Sequence, residues 1–131
     1  MFTAFYGSIL ALLMVYLALN VIKTRRKHKV RYADGGVVEL QIARTAHSNA
    51  VDYIPIALIL LFLLEYNWGN IWLINLAGIS LVTGRIIHAR GILSKNLNGR
   101  VLGMQFTIWT ITFLAVSNLL YFLYKFFSRI V

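Results

Sequence analysis

The sequence predicts an all-α integral membrane protein, a four-helix antiparallel bundle that assembles as a homotrimer. Three observations predict the bundle; the trimer rests on a resemblance given below. Hydrophobic residues make up 60% of the 131-residue chain and charged residues only 13%, too little polar surface to cover a water-soluble domain of this size. Four segments are apolar over about 20 residues, the length a helix needs to cross hydrocarbon. Most lysines and arginines gather between those segments, as positive charge does in the cytoplasmic loops of membrane proteins.

The first helix is expected over about 3–22. No basic region precedes it and "KTRRKHKVR" follows it, which fits a first transmembrane helix held by positive charge rather than a cleaved signal peptide. A loop is expected from Lys23 to Arg31. Asp34, Gly35 and Gly36 form a strong local stop. The second helix is therefore placed over about 37–64, apolar from Val51 onward and kinked near Pro55. The third is placed over about 70–90 and the fourth over about 102–127. Residues 1–131 form a single domain, since no room is left for a second.

Orientation follows from the loops. Lys23, Arg25, Arg26, Lys27, Lys29 and Arg31 cluster in the first, and Arg90, Lys95 and Arg100 in or beside the third. The second, "EYNWGN", has neither Lys nor Arg. Loops one and three are thus expected in the cytoplasm and both termini outside, in a multi-pass protein of the inner membrane. Lys125 and Arg129 weigh mildly against this. Phe5, Tyr6, Tyr66, Trp68, Trp72, Tyr121 and Tyr124 are expected at the outer interface.

Composition also excludes chemistry. Cysteine is absent, which removes disulfides, thiolate metal ligands and a cysteine nucleophile. No carboxylate–histidine pair has zinc spacing, so no metal is expected. The net charge of +9 lies mainly between helices and not in a separate basic module, so nucleic acid is not an expected partner.

The polar residues inside the helices are the functional signal. Arg25 and Arg26, Arg44 to Tyr53, Arg85 with His88, and Arg100 with Gln105 all fall at one membrane level. Ionisable groups at that depth are costly and by default functional. At about 100° per residue, Thr45, Asn49, Asp52, Tyr53 and Ile56 share a face, and His47 points roughly opposite Asn49. Arg44 lies off that face, with a side chain long enough to swing toward Asp52. Arg85 and His88 are i,i+3 neighbours. Plainer readings stand beside these. Asp52 serves equally as a counter-ion within the bundle, Arg25 and Arg26 as topogenic charges, and His47 as a hydrogen-bonded spacer. Ser80, Gly84 and Gly91 read as close-packing positions.

Arginines outnumber carboxylates in this set, so the matching guest is anionic. Asn49 and Tyr53 would orient it and Asp52 would take an ammonium group. A zwitterionic peptide with two carboxylates and one amine satisfies that list. An apolar second reactant would arrive from the lipid bilayer.

"ARTAHSNAVDYIP" resembles the helix-two signature of the MAPEG family, the membrane-associated proteins in eicosanoid and glutathione metabolism. "TRRKHKV", "GRIIHARG" and "GRVLGMQFT" resemble the family's helix-one end, helix three and helix-four start. The likeness covers nearly the whole chain and is strongest to a small bacterial branch. It implies a homotrimer binding glutathione between subunits, with Arg25, Arg26, Arg44, Asn49, Asp52, Tyr53, Arg85 and His88 around the tripeptide. It implies that Arg100 stabilises the thiolate in a transferase or peroxidase acting on an apolar electrophile or lipid. Three positions depart from the pattern. Thr45 stands where the arginine four residues before Asn49 is expected, Asp52 replaces a glutamate, and Ile92 replaces a tyrosine. A non-catalytic scaffold binding a lipid or partner protein on the same fold, and a small transporter, are the competing readings.

Overall fold

The computed structural model describes residues 1–67 and 69–128; Trp68 and Arg129, named above, lie outside the described residues. The chain is all-helical, in the order α1 Phe2–His28, α2 Val38–Asn67, α3 Ile71–Leu93 and α4 Leu97–Phe127. All four are long and apolar enough to cross a membrane, and no strand occurs among the described residues.

Two boundaries differ from expectation by five residues or more, both at the basic end, while α2 and α3 each run three residues further than expected. The segment expected as a loop from Lys23 is helical as far as His28, because Lys and Arg are good helix formers and a helix can continue into water beyond the hydrocarbon. It stops at Lys29, whose left-handed φ of 54° turns its backbone N–H onto the Arg25 and Arg26 carbonyls. α4 begins at Leu97 rather than near Leu102. Asn96 is its cap, with a side-chain oxygen accepting from the Gly99 N–H at 3.1 Å.

The other ends match their chemistry. Asp34 accepts from the Gly36 N–H at 2.9 Å, and Gly35 and Gly36 take φ of 57° and 73°, so the chain turns before α2 as the sequence requires. α2 then runs unbroken through Pro55. Asn70 caps α3 by accepting from Trp72 and Leu73.

Contacts between helix ends organise the bundle. The Glu65 carboxylate at the end of α2 accepts from the N–H groups of Phe2 and Thr3 at 2.6 and 2.8 Å. It thereby satisfies donors that the start of α1 cannot pair itself. At the opposite ends, Lys27 and His28 meet Glu39 at 2.9 and 2.8 Å. Thr24, Glu39, Leu93 and Lys95 border a common groove, so the α1–α2 and α3–α4 connections lie together.

The core uses small residues on α2. Ala43, Ala46, Ala50 and Ala57 are buried with Ile54 and Leu61, which lets α1 and α3 approach that face closely. α3 and α4 meet along glycines. A Cβ on Gly84 would come within 2.7 Å of the Phe106 Cβ, one on Gly91 would strike the Arg100 and Gly99 backbone, and one on Gly103 the His88 backbone. The close-packing roles expected of Gly84 and Gly91 hold. Tyr6 corrects one expectation. It is not in the interfacial aromatic set but in the core at 5% exposure, with its hydroxyl donating to the Asn75 side chain at 2.6 Å. A buried phenol needs such a partner. Phe5, Tyr66, Trp72 and Tyr124 are exposed.

Candidate functional site

The polar residues of α2 flank its core face. Leu40, Ala43, Ala46, Ala50, Ile54 and Ala57 define the buried side. At about 100° per residue, Asn49 and Tyr53 fall on one flank and Arg44 and His47 on the other, with Thr45, Ser48 and Asp52 pointing away from the core. The sequence-predicted set therefore divides into three groups within one chain.

The first group is centred on Arg85, which is 0% exposed. Its Nη2 donates to the Asn49 Oδ1 at 2.8 Å, and its guanidinium carbon lies 5.8 Å from the centroid of the Tyr53 ring, a cation–π contact. Its Nε and Nη1 are buried with no protein partner. Burying a cation is costly unless it is paired. Among the described residues the carboxylate ion pairs are Glu65 with the N-terminus, Glu39 with Lys27 and His28, and Asp34 with Arg44. None involves Arg85. His88 lies one turn along α3, 1% exposed, and its Nδ1 donates to the Arg100 carbonyl at 2.7 Å. Arg85, Asn49 and Tyr53 are thus brought together, while the hydrogen bond of His88 goes to α4.

The second group lines a polar groove of about 580 Å³ between α1 and α2, formed by Val21, Arg25, Asp34, Gln41, Arg44, Thr45, His47 and Ser48. The Arg25 Nη1 is buried there without a partner. Arg44 does not swing toward Asp52. Its Nη1 lies 3.9 Å from the Asp34 carboxylate, because the turn before α2 brings that acid back over the first turns of the helix. Asp52 is exposed and forms no ion pair among the described residues. Its reading as a counter-ion inside a single bundle fails, since it points away from the core. Arg26 is likewise exposed and lines neither this groove nor the Arg85 cluster.

The third group is a groove of about 400 Å³ bordered by Gln41, Ile42, Thr45, Gly91, Ile92, Lys95, Asn96, Leu97 and Arg100. Arg100 is exposed on α4 and borders this groove, whereas Arg85 is buried on α3 and lines neither polar groove. Thr45, at the expected arginine position, gives its hydroxyl to the Gln41 carbonyl at 2.8 Å. Ile92, at the expected tyrosine position, belongs to the core cluster with Leu17 and Ala89.

Sequence reasoning missed Gln41, which lines both polar grooves, and Asp34 as a partner for Arg44. Gln41 stands one turn before Thr45, on the same stripe, and that spacing was the available signal. Asp34 carried none, because a residue in a turn reads as turn chemistry first.

With this geometry in place, comparisons narrow the field. A sequence model described as "MAPEG family" matches residues 3–120. The chain is 36% identical over 121 residues, 92% of each chain, to the inner membrane protein YecN of Escherichia coli K12. It has the same identity and coverage with the protein of that name from Escherichia coli O6:H1.

Proposed function

The chain belongs to the MAPEG family, and from that membership we propose that it is a multi-pass inner-membrane protein that binds glutathione and transfers it to lipophilic electrophiles. In this reading the single domain is an antiparallel bundle that forms a homotrimer. Loops one and three face the cytoplasm and both termini lie outside. The ligand sits between subunits. The observation that carries the reading is Arg85, a buried guanidinium oriented by Asn49 and Tyr53 with two N–H-bearing nitrogens unpartnered in the protein. Such a group suits a carboxylate of the tripeptide, which would offer both charge and acceptors.

Gln41 and Thr45 line both polar grooves while Arg85 lines neither, and a second subunit is the simplest way to close the three groups into one site. Asp52, exposed on a membrane-crossing helix, supports this. A carboxylate there is expensive in lipid, and it would be covered at a subunit boundary, where it would take the tripeptide's ammonium. Arg25, Arg26 and Arg44 would supply further positive charge toward the second carboxylate.

Arg100 is assigned to the sulfur. A free thiol has a pKa of about 8.5, and a neighbouring cation favours the thiolate, the nucleophilic form. Each unit of depression corresponds to about 1.4 kcal/mol. The thiol proton goes to solvent, the thiolate attacks the electrophilic carbon, and a carbon–sulfur bond forms as the bond to the leaving group breaks and that group, a halide for an aryl halide, departs with its electron pair. With a hydroperoxide, the thiolate would take the terminal oxygen and release an alcohol. A second glutathione thiol would then displace water from the sulfenic acid to give the disulfide.

Two observations favour a second reading, a non-catalytic scaffold for a lipid or a partner protein. Arg44 is engaged by Asp34, and the expected tyrosine position is occupied by a core isoleucine. Calorimetric titration of the purified oligomer with glutathione and with its S-hexyl conjugate separates the two. Saturable heat that disappears in Asn49→Ala supports the glutathione reading. No heat with either ligand, from folded protein, leaves the scaffold.

A further inference from the structure

We propose that His88 is a positioning residue for Arg100, acting through its Nδ1 atom on the α4 backbone rather than touching the ligand. The inference rests on the reading above that Arg100 holds the sulfur.

The His88 ring is buried, with Nδ1 2.7 Å from the Arg100 carbonyl oxygen. A carbonyl only accepts, so Nδ1 carries the proton and the bond sets the tautomer. The carbonyl lies in the first turn of α4, which starts at Leu97. First turns fray unless something ties them down. Here the Asn96 cap holds the helix start, and a second tie comes from α3. Gly91 leaves no room for a Cβ against the Arg100 backbone, and Gly103 none against the His88 backbone. The two main chains are therefore in contact on both sides of the hydrogen bond. The Arg100 side chain is exposed, so its direction depends on how firmly its own backbone is held. An arginine swings on a long, flexible stem, and a small drift at the base moves the guanidinium enough to weaken an ion pair with a sulfur.

The alternative, a direct ligand contact, must use the other ring nitrogen, Nε2, which is buried without a protein partner. Two substitutions tell the nitrogens apart. The asparagine amide nitrogen is two bonds from Cβ, as Nδ1 is. The glutamine amide nitrogen is three bonds away, as Nε2 is.

The test uses the full-length detergent-purified protein. The first readout is kcat and KM for glutathione with 1-chloro-2,4-dinitrobenzene. The second is amide hydrogen exchange over residues 97–104 with no ligand present. The expected result is that His88→Asn keeps kcat within about threefold and leaves exchange near that of the parent. His88→Gln should lower kcat about tenfold, the worth of one hydrogen bond, with KM for glutathione little changed and exchange in the first turns of α4 faster. Retained activity in His88→Gln with a raised KM in His88→Asn would instead assign Nε2 to the ligand and overturn the proposal. Equal acceleration of exchange in both variants, or none in either, would also overturn it. If the parent shows no turnover, the transferase reading falls by itself, and the exchange contrast still decides whether His88 holds α4.

Discussion

Buried Arg85 and half-buried Asn49 form a side-chain pair across α3 and α2, with Nη2 and Oδ1 2.8 Å apart. Asn49 is the neutral acceptor that the protein gives a guanidinium lacking a carboxylate partner among the described residues. Removing one member of such a pair costs far more than removing both, because the survivor is left buried and unpaired.

Asn49→Ala should therefore lower stability in detergent by about 2 kcal/mol. The double variant Asn49→Ala with Arg85→Met should recover most of that loss, since the buried charge is then gone. Thermal unfolding of the parent, both single variants and the double variant checks this. Simple addition of the two single losses would show that the pair is not coupled.

Gly103→Ala should be among the most damaging single-methyl additions in the chain. The new Cβ would overlap the His88 main chain, and backbone cannot turn aside as a side chain can. Separating α3 from α4 should cost on the order of 2 kcal/mol. Gly7→Ala is the control, since its Cβ would meet a Leu58 methyl at an ordinary 3.7 Å. Thermal stability of the two variants should differ sharply.

Glu65→Ala should loosen the start of α1. The carboxylate accepts from both Phe2 and Thr3, which makes it a helix cap supplied by another helix. Losing a cap costs about 1 kcal/mol. Hydrogen exchange over residues 2–6 should quicken while the rest of α1 is unchanged. Glu65→Gln should be intermediate, because its amide can still accept one of the two bonds.

Much of this arrangement is legible in the sequence, and the failures share a cause. Apolar run length locates four helices, and i,i+3 spacing places Arg85 and His88 together. Helical phase separates Asn49 from His47. Phase reports which residues share a face, but not what that face meets. Helical phase groups Asp52 with Asn49 and Tyr53, yet Asp52 is exposed and points away from the core, a fact set by which side α1 and α3 occupy. The length of the Arg44 side chain suggests a swing toward Asp52. Its actual partner, Asp34, is brought back by a turn whose path depends on the left-handed conformations of Gly35 and Gly36. The helix ends at His28 and Leu97 were missed because hydropathy marks where hydrocarbon ends, not where the helix ends.

The proposed orientation can be tested directly because the chain contains no cysteine. Single cysteines placed at Lys95 and at Asn70 lie in the α3–α4 connection and at the α3 cap. In intact cells with a permeabilised outer membrane, a membrane-impermeant thiol reagent should label Asn70→Cys and spare Lys95→Cys. After inner-membrane lysis it should label both. The reverse pattern would place the basic loops outside.

Arg100→Ala separates binding from chemistry. Arg85 is buried on α3 and Arg100 is exposed on α4, so in the proposed site the tripeptide anchor and the sulfur-directed cation are distinct groups. Removing Arg100 should leave most of the affinity for glutathione, which rests on Arg85, Asn49 and Asp52 in the proposed site. It should remove the charge that favours the thiolate, and loss of one such electrostatic contact typically lowers kcat by about 10²-fold. The residual rate should rise steeply with pH, because deprotonation would then depend on a thiol near its ordinary pKa of about 8.5. Measuring kcat, KM and thiolate absorbance against pH decides the assignment. A parallel loss in binding and turnover would make Arg100 a ligand anchor, and unchanged kcat would exclude it from sulfur activation altogether.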